Sequence, residues 1–246
     1  MSIITSFICL AYHRLTDAPA GAADPYTVRP ELFAAHMAWL ARRGYRALPL
    51  GEALATREPP PAPIIALSFD DGYRDFRQHA YPILQRHGFR ATLFVVAGRL
   101  GRQADWPGAG GAPLLAGEEV AALAAEGMEI GAHGWQHRPL PGLDRPSLAR
   151  ELVLARRRLS RVAGTPVQGL AYPYGQTTPA VEDAVRAAGF AWAATARSGR
   201  NGAGTPRLAL RRLLVRGDDR LPLFIAKVTL GYASLLEARM DLRRLP

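Results

Sequence analysis

The sequence predicts a single-domain α/β fold, a barrel-like parallel sheet wrapped by crossover helices. Three observations carry this. The chain has 246 residues, a length that one α/β barrel fills without being split. Helix-like segments alternate with short apolar runs, the pattern of βα units. Polar residues follow four of those runs at their carboxyl ends, where the loops of a barrel converge.

The elements follow in order. "FICLAY" (7–12) is the first apolar run, and His13 follows it. "ELFAAHMAWLARRG" reads as a helix leading to the strand "YRALPL", and "REPPPAPI" is a proline-stiffened connector into "IIALSF" and the doublet Asp70-Asp71. "FRQHAYPILQRHG" leads to "FRATLFVVAG", "GEEVAALAAEG" to "MEIGAH", "PSLARELVLARRRLSRVAG" to "VQGLAYPYG", and "TPAVEDAVRAAG" to "FAWAATA". Gly44, Gly88, Gly127, Gly164 and Gly189 end these helices, where a C-cap needs a residue tolerant of positive φ. "GRQADWPGAGGAP" (101–113) is a glycine-rich loop long enough to reach over the rim of a site.

After Asp219 the pattern changes. Leu221, Phe224, Ile225, Val228, Tyr232, Leu235 and Leu236 recur at helical spacing, followed by Arg239, Arg243 and Arg244. This divides the chain into a body, 1–219, and an amphipathic helical extension, 220–246. The extension is expected to pack on the barrel; the other reading lays it on an anionic membrane surface.

Composition bounds the function less tightly. The formal charge is +10, carried almost wholly by arginine, since Lys227 is the one lysine. The arginines are spread over several helices and no nucleic-acid module is recognisable, so nucleic acid is not an expected partner. The single cysteine, Cys9, excludes an internal disulfide and a cysteine-based metal site, and its apolar setting predicts a buried, inert thiol. The N-terminal apolar stretch lacks a basic flank and ends at Tyr12-His13, too short for a signal peptide or a membrane span. A cytoplasmic protein is expected.

The chemistry begins with "LSFDDGY" (67–73). Asp and Gly serve turns, but a turn needs only one carboxylate. "HGWQH" supplies His133 and His137, four apart, a spacing that brings two imidazoles together on a helix or on a loop leaving a strand. Two histidines and one carboxylate form a set typical of catalytic zinc and related divalent metals, with a coordination position left open for water. Asp71 can complete that set while Asp70 remains free to take a proton.

"LSFDDGY", "HGWQH" and "AYPYG", in this order, resemble the first three motifs of the polysaccharide deacetylases, the NodB-homology family of carbohydrate esterases. The similarity spans roughly 7–215. It implies a distorted (β/α) barrel and metal-dependent removal of acetyl groups from N-acetylated sugars, with Zn²⁺ the expected ion and Co²⁺ or Ni²⁺ as alternatives. By position, Asp70 matches the catalytic base, and Asp71, His133 and His137 match the metal ligands. Tyr174 stands where the family uses a backbone N–H to hold the oxyanion, within the substrate-side segment Tyr172, Pro173, Tyr174.

Two departures stand out. Ala171 occupies the place of the arginine that braces the base, leaving Arg212 or Arg216 as candidate substitutes. No histidine follows His137, so the family's C-terminal Leu-x-His motif is missing. The N-terminal "YHR" is instead similar to deacetylases of poly-N-acetylglucosamine, in which the motif order is permuted. That makes His13 the expected proton donor, on the far side of the scissile bond from Asp70.

The expected partner is therefore an N-acetylated glycan of an exopolysaccharide or cell envelope. Alternatives are a non-sugar amide or O-acetyl ester, or a carbohydrate-binding protein that has lost turnover. Tyr172, Tyr174 and Trp192 could form a sugar-stacking wall, although Trp192 reads better as core. His36, His79 and His87 lie on amphipathic helices and are expected to face solvent. "RGD" (216–218) is discounted as an adhesion motif. Glu118, Glu119 and Glu126 are read as a helix N-terminus and a solvated face.

Overall fold

The computed structural model describes residues 6–17, 25–56 and 61–232. Its main sheet is entirely parallel: β1 (Ile8–Tyr12), β4 (Arg46–Leu48), β5 (Ile64–Phe69), β6 (Thr92–Val95), β7 (Glu129–Ala132), β8 (Gly169–Ala171), β9 (Trp192–Ala194) and β10 (Leu213–Leu214). The order is β10-β1-β5-β6-β7-β8-β9, with β4 also pairing with β5. A separate pair, β2 (Arg14–Leu15) and β3 (Thr27–Val28), sits beside it.

Every residue of β1 and β5 is buried, as expected of strands covered on both faces. Successive residues point to opposite faces of a strand, and here they join two different cores. Ile8, Leu10, Ile65, Leu67, Leu93 and Leu170 pack toward the surrounding helices. Cys9, Ala66, Phe94, Ala171 and Trp192 fill the inside of the curled sheet. Gly131 and Gly169 make room there: a Cβ on Gly169 would meet the Trp192 ring at 2.0 Å. Trp192 is thus core, as expected, and burial pushes the Cys9 thiol up to about 12, which keeps it protonated and inert.

The sheet's two edges are bridged by one segment. Residues 207–215 hydrogen-bond first along β9, through Leu210 N to Ala193 O at 2.9 Å and Thr195 N to Leu210 O at 2.8 Å. They then run along β1, where Leu213 and Leu214 face Leu10 and Ala11. Arg212 lies at the crossing, and this placement decides its role below.

The helices are α1 (Pro30–Arg42), α2 (Leu50–Ala55), α3 (Tyr81–Arg86), α4 (Gly117–Ala125), α5 (Arg145–Ala149), α6 (Ala155–Ala163), α7 (Pro179–Ala187) and α8 (Leu221–Leu230). Gly44, Gly88, Gly127, Gly164 and Gly189 all have positive φ, as the C-cap reading requires. The short α2 and the strands β2, β3 and β10 went unread in the sequence; none is long enough to show a period.

One expectation is corrected. His36 does not face solvent: it lies on the buried stripe Phe33, His36, Met37, Leu40 of α1. Its ring stacks on Phe224 at 3.9 Å, Nε2 donates to the Asp219 carbonyl at 2.8 Å, and Nδ1 accepts from the Tyr12 hydroxyl at 3.2 Å. Those contacts replace water, and burial lowers its pKa to about 4, so the ring is neutral. His79 and His87 are only partly exposed. Helix α8 packs on α1 through Phe224, which meets His36 and Trp39, and Lys227 pairs with Asp219 at 2.6 Å. Leu235, Leu236, Arg239, Arg243 and Arg244 lie outside the described residues, and so does the membrane-surface reading that rests on them. No helix among the described residues is long and apolar enough to cross a membrane.

Candidate active site and metal centre

The carboxyl ends of the strands open into one cavity of about 350 Å³. His13, Asp70, Asp71, His133, His137, Tyr172, Tyr174 and Arg212 all line it. Residues that follow β1, β5, β7 and β8 thereby meet, although they are drawn from positions as far apart as His13 and Tyr174.

The adjacent carboxylates have a conformational explanation. Neighbours on a strand point to opposite faces, so two consecutive aspartates cannot both enter the cavity from extended backbone. Asp71 adopts φ 73 and Gly72 φ 77, a left-handed turn that swings both acids to one side. Among the described residues three non-glycine residues have positive φ: Asp71, His137 and Tyr174. All three line this cavity. Such strain costs about 1–3 kcal/mol per residue and collects at functional sites.

Asp71, His133 and His137 form the candidate metal centre. Their ligand atoms lie within 4.8 Å of one another, and all three residues are buried. Asp71 Oδ1 stands 3.3 Å from His133 Nε2 and 3.2 Å from His137 Nε2. Neither contact has hydrogen-bond geometry, so this oxygen is buried without a partner. His133 Nδ1 donates to the Ala171 carbonyl at 2.8 Å, which turns Nε2 toward the cluster. A buried carboxylate oxygen facing two imidazole nitrogens is the donor set a divalent cation satisfies. Burial opposes the charge on Asp71, but the two histidines outweigh it and hold the carboxyl well below its ordinary value.

Asp70 is held differently. Arg212 Nη1 donates to Oδ1 at 2.6 Å and Nη2 to Oδ2 at 2.8 Å, both residues being almost fully buried. Burial raises the Asp70 carboxyl, yet Arg212, then His133 and His13, bring it below the usual carboxylate range. Of the two arginines considered for this brace, the structure brings Arg212 to Asp70. Arg216 is exposed, near Asp218 and the Tyr26 ring, and does not line the cavity. Ala171, in the usual arginine position, points into the sheet interior; the arginine arrives from the segment that bridges the sheet's edges.

His13 stands 3.9 Å from Asp70 Oδ2. It is beside Asp70 and not across the site from it, because β1 and β5 pair in register, Tyr12 opposite Phe69, and the next residue of each is His13 and Asp70. The His13 ring stacks on Tyr26 at 4.9 Å. The Tyr172 ring is fully buried and its hydroxyl donates to Leu208 O, so it walls the cavity base rather than offering an open stacking face. Pro173 is buried in the same turn, and Tyr174 is 44% exposed with its ring 4.7 Å from His137. Trp106, in the glycine-rich loop, covers His137 at 4.4 Å. The sequence pointed to that loop but not to Trp106, and nothing in the sequence pointed to Tyr26.

A curled parallel sheet with convergent acids and imidazoles at its strand ends is the layout in which α/β barrels carry their active sites. Comparison with known proteins makes the class specific. The family model for polysaccharide deacetylase matches residues 57–193, over half of the chain, and the chain belongs to that family. "Putative polysaccharide deacetylase YxkH" of Bacillus subtilis (strain 168) is 26% identical over 209 residues, covering 84% of this chain and 70% of that protein. The poly-beta-1,6-N-acetyl-D-glucosamine N-deacetylase of Escherichia coli (strain K12) is 31% identical over 104 residues, which are 40% of this chain and only 15% of that protein. The fold matches the Streptococcus pyogenes deacetylase PplD, solved with acetate, at a TM-score of 0.79 and 23% identity, covering 91% of this chain and 98% of that one.

Proposed function

We propose that the chain is a metal-dependent N-deacetylase that releases acetate from an N-acetylated glycan of an exopolysaccharide or cell envelope, leaving a free amino sugar. Residues 1–219 would carry the chemistry, with 220–246 as an extension that begins with α8. The observation that carries the reading is the pairing of two carboxylates in one cavity: Asp71 among two histidines, and Asp70 clasped by Arg212.

Asp71, His133 and His137 would hold a divalent ion, with Zn²⁺ the best fit to the donors and Co²⁺ or Ni²⁺ able to replace it. Bound there, the ion would supply a water of pKa ~7 and a Lewis acid for the acetyl carbonyl. Asp70 takes the water's proton on attack; its carboxylate keeps lone pairs free beyond the two that Arg212 occupies. The Tyr174 N–H steadies the oxyanion where charge develops. His13 would give the departing amine its proton from beside Asp70, 3.9 Å away, and not from the opposite side. Trp106, Tyr26 and Tyr174 line the cavity, and their rings would suit the faces of sugar rings.

The missing arginine at Ala171 is the feature that favoured a binding protein without turnover. Arg212 restores the brace, and a binding module has no use for a second, buried carboxylate. Acetate release from a panel of N-acetylated oligosaccharides, with Zn²⁺, Co²⁺ or Ni²⁺ and after chelation, tests the reading. Release should require metal. Acetate release that survives chelation, or release only from O-acetyl esters and simple amides, would overturn it.

A further inference from the structure

The loop that carries His133 and His137 is tied down on two sides. On one side the carbonyls of Gly134 and Trp135 accept from Ala97 N–H at 3.0 Å and Gly98 N–H at 2.8 Å. On the other, a single oxygen, Glu151 Oε2, accepts from the N–H groups of Trp135 at 2.7 Å and Gln136 at 2.9 Å. Glu151 is 3% exposed. It lies in a π-helical turn, Arg150–Leu154, between α5 and α6. Such turns are rare and gather near functional sites.

The approach is close. Gly134 has φ +76, and a Cβ there would come within 3.0 Å of Glu151 Oε2; a Cβ on Gly98 would meet Trp135 O at 2.3 Å. His137, one residue beyond the clasped amides, is held at φ 58. A non-glycine residue stays in that region only when its surroundings impose it. The backbone on its N-terminal side is held by Glu151 together with the Ala97 and Gly98 amides.

We propose that Glu151 is a positioning residue for the candidate metal centre, clasping two consecutive amides between the histidines so that their Nε2 atoms face Asp71 before any ion arrives. The inference rests on the metal reading above. Glu151 does not line the cavity and is not among the three candidate ligands, so it acts through the loop alone. Without it two part-buried N–H groups lose their acceptor, and the loop can relax away from the left-handed conformation at His137. Groups that orient metal ligands in this way typically alter affinity 10–100-fold when removed.

The sequence held a trace of this residue. Leu148, Glu151, Leu152, Ala155 and Leu159 recur at helical spacing, which puts Glu151 on the apolar stripe, where an acid needs a partner.

The test is Zn²⁺ affinity of the apo-protein, by competition with a chromophoric chelator, and the Co²⁺ absorption spectrum as a report on ligand geometry. Glu151→Ala should bind Zn²⁺ about 10–100-fold more weakly, with an altered Co²⁺ spectrum. Glu151→Gln keeps the accepting oxygen and should stay near the wild type. Glu151→Asp keeps the charge but is a methylene short, and should fall with Glu151→Ala. Circular dichroism establishes which variants fold; if Glu151→Ala does not, the Asp and Gln variants carry the comparison. A folded Ala or Asp variant with wild-type affinity and spectrum overturns the proposal, as does a Gln variant as weak as the Asp one. Failure of the wild type to bind any metal would instead remove the metal reading.

Discussion

Arg212 and Asp70 are joined by two parallel hydrogen bonds, at 2.6 and 2.8 Å, although they are 142 residues apart. Arg212 Nε also donates to Thr195 O at 3.0 Å, and Nη1 to the Ser68 hydroxyl at 3.3 Å, so the guanidinium cannot swing away. Breaking a buried pair by removing one partner typically costs 3–5 kcal/mol. Arg212→Met should lose about that much in denaturant unfolding and most of the turnover. Arg212→Lys keeps the charge but not the fork, and should remain well below wild-type rate. Pairing Arg212→Met with Asp70→Asn should recover stability without recovering activity. Wild-type kcat in Arg212→Met would show that the clasp is irrelevant to the chemistry.

The two neighbouring aspartates should separate in their effects. Asp71→Asn and His133→Ala should each lower metal occupancy measured by elemental analysis. Asp70→Asn should leave occupancy intact and abolish turnover. If Asp70→Asn emptied the site, the division of labour between the pair would be wrong.

His13→Ala should retain metal and fold but lose roughly 10²–10⁴ in turnover of an N-acetyl substrate, the range for a missing general acid. An aryl acetate, whose leaving group departs without a proton, should be affected much less. Equal losses on both substrates would make His13 a structural neighbour of Tyr26 and Asp70 and not the acid.

His36 makes stability sensitive to acid. Its ordinary pKa of 6.5 falls to about 4 in the fold because burial disfavours the charged ring. Between those values the unfolded chain binds a proton that the native state refuses, so stability falls as pH falls through this window and is level above it. The loss by pH 4 is roughly 3 kcal/mol relative to a His36→Gln variant. Burial raises Asp75 to about 6, which acts in the opposite sense over 3.8 to 6, but it is common to both proteins and drops out of the difference. Tyr12, Asp219 and Lys227 also face His36 and are common to both proteins. Parallel stability curves for the two proteins between pH 7 and 4 would refute a neutral His36.

Local chemistry made much of this legible in the chain itself. Apolar runs that are buried on both faces, helices that stop at glycine, and polar residues released at strand ends are written in consecutive residues, because burial and φ preference act over a few positions. The candidate metal donors were readable for the same reason: Asp71 is in a turn after one strand, and His133 and His137 are in a loop after another. What the sequence could not decide was which distant residues complete them. Arg212 and Arg216 are equally plausible braces in a linear reading; the sheet's two edges must be bridged by 207–215 before one of them points inward. His36 reads as an exposed histidine until α8 lays Phe224 against it. Glu151 is one acid on an arginine-rich helix until a π-helical turn brings its carboxylate under the histidine loop. Each of these rests on a contact between segments far apart in the chain, and such contacts form only when the sheet closes and brings their backbones together.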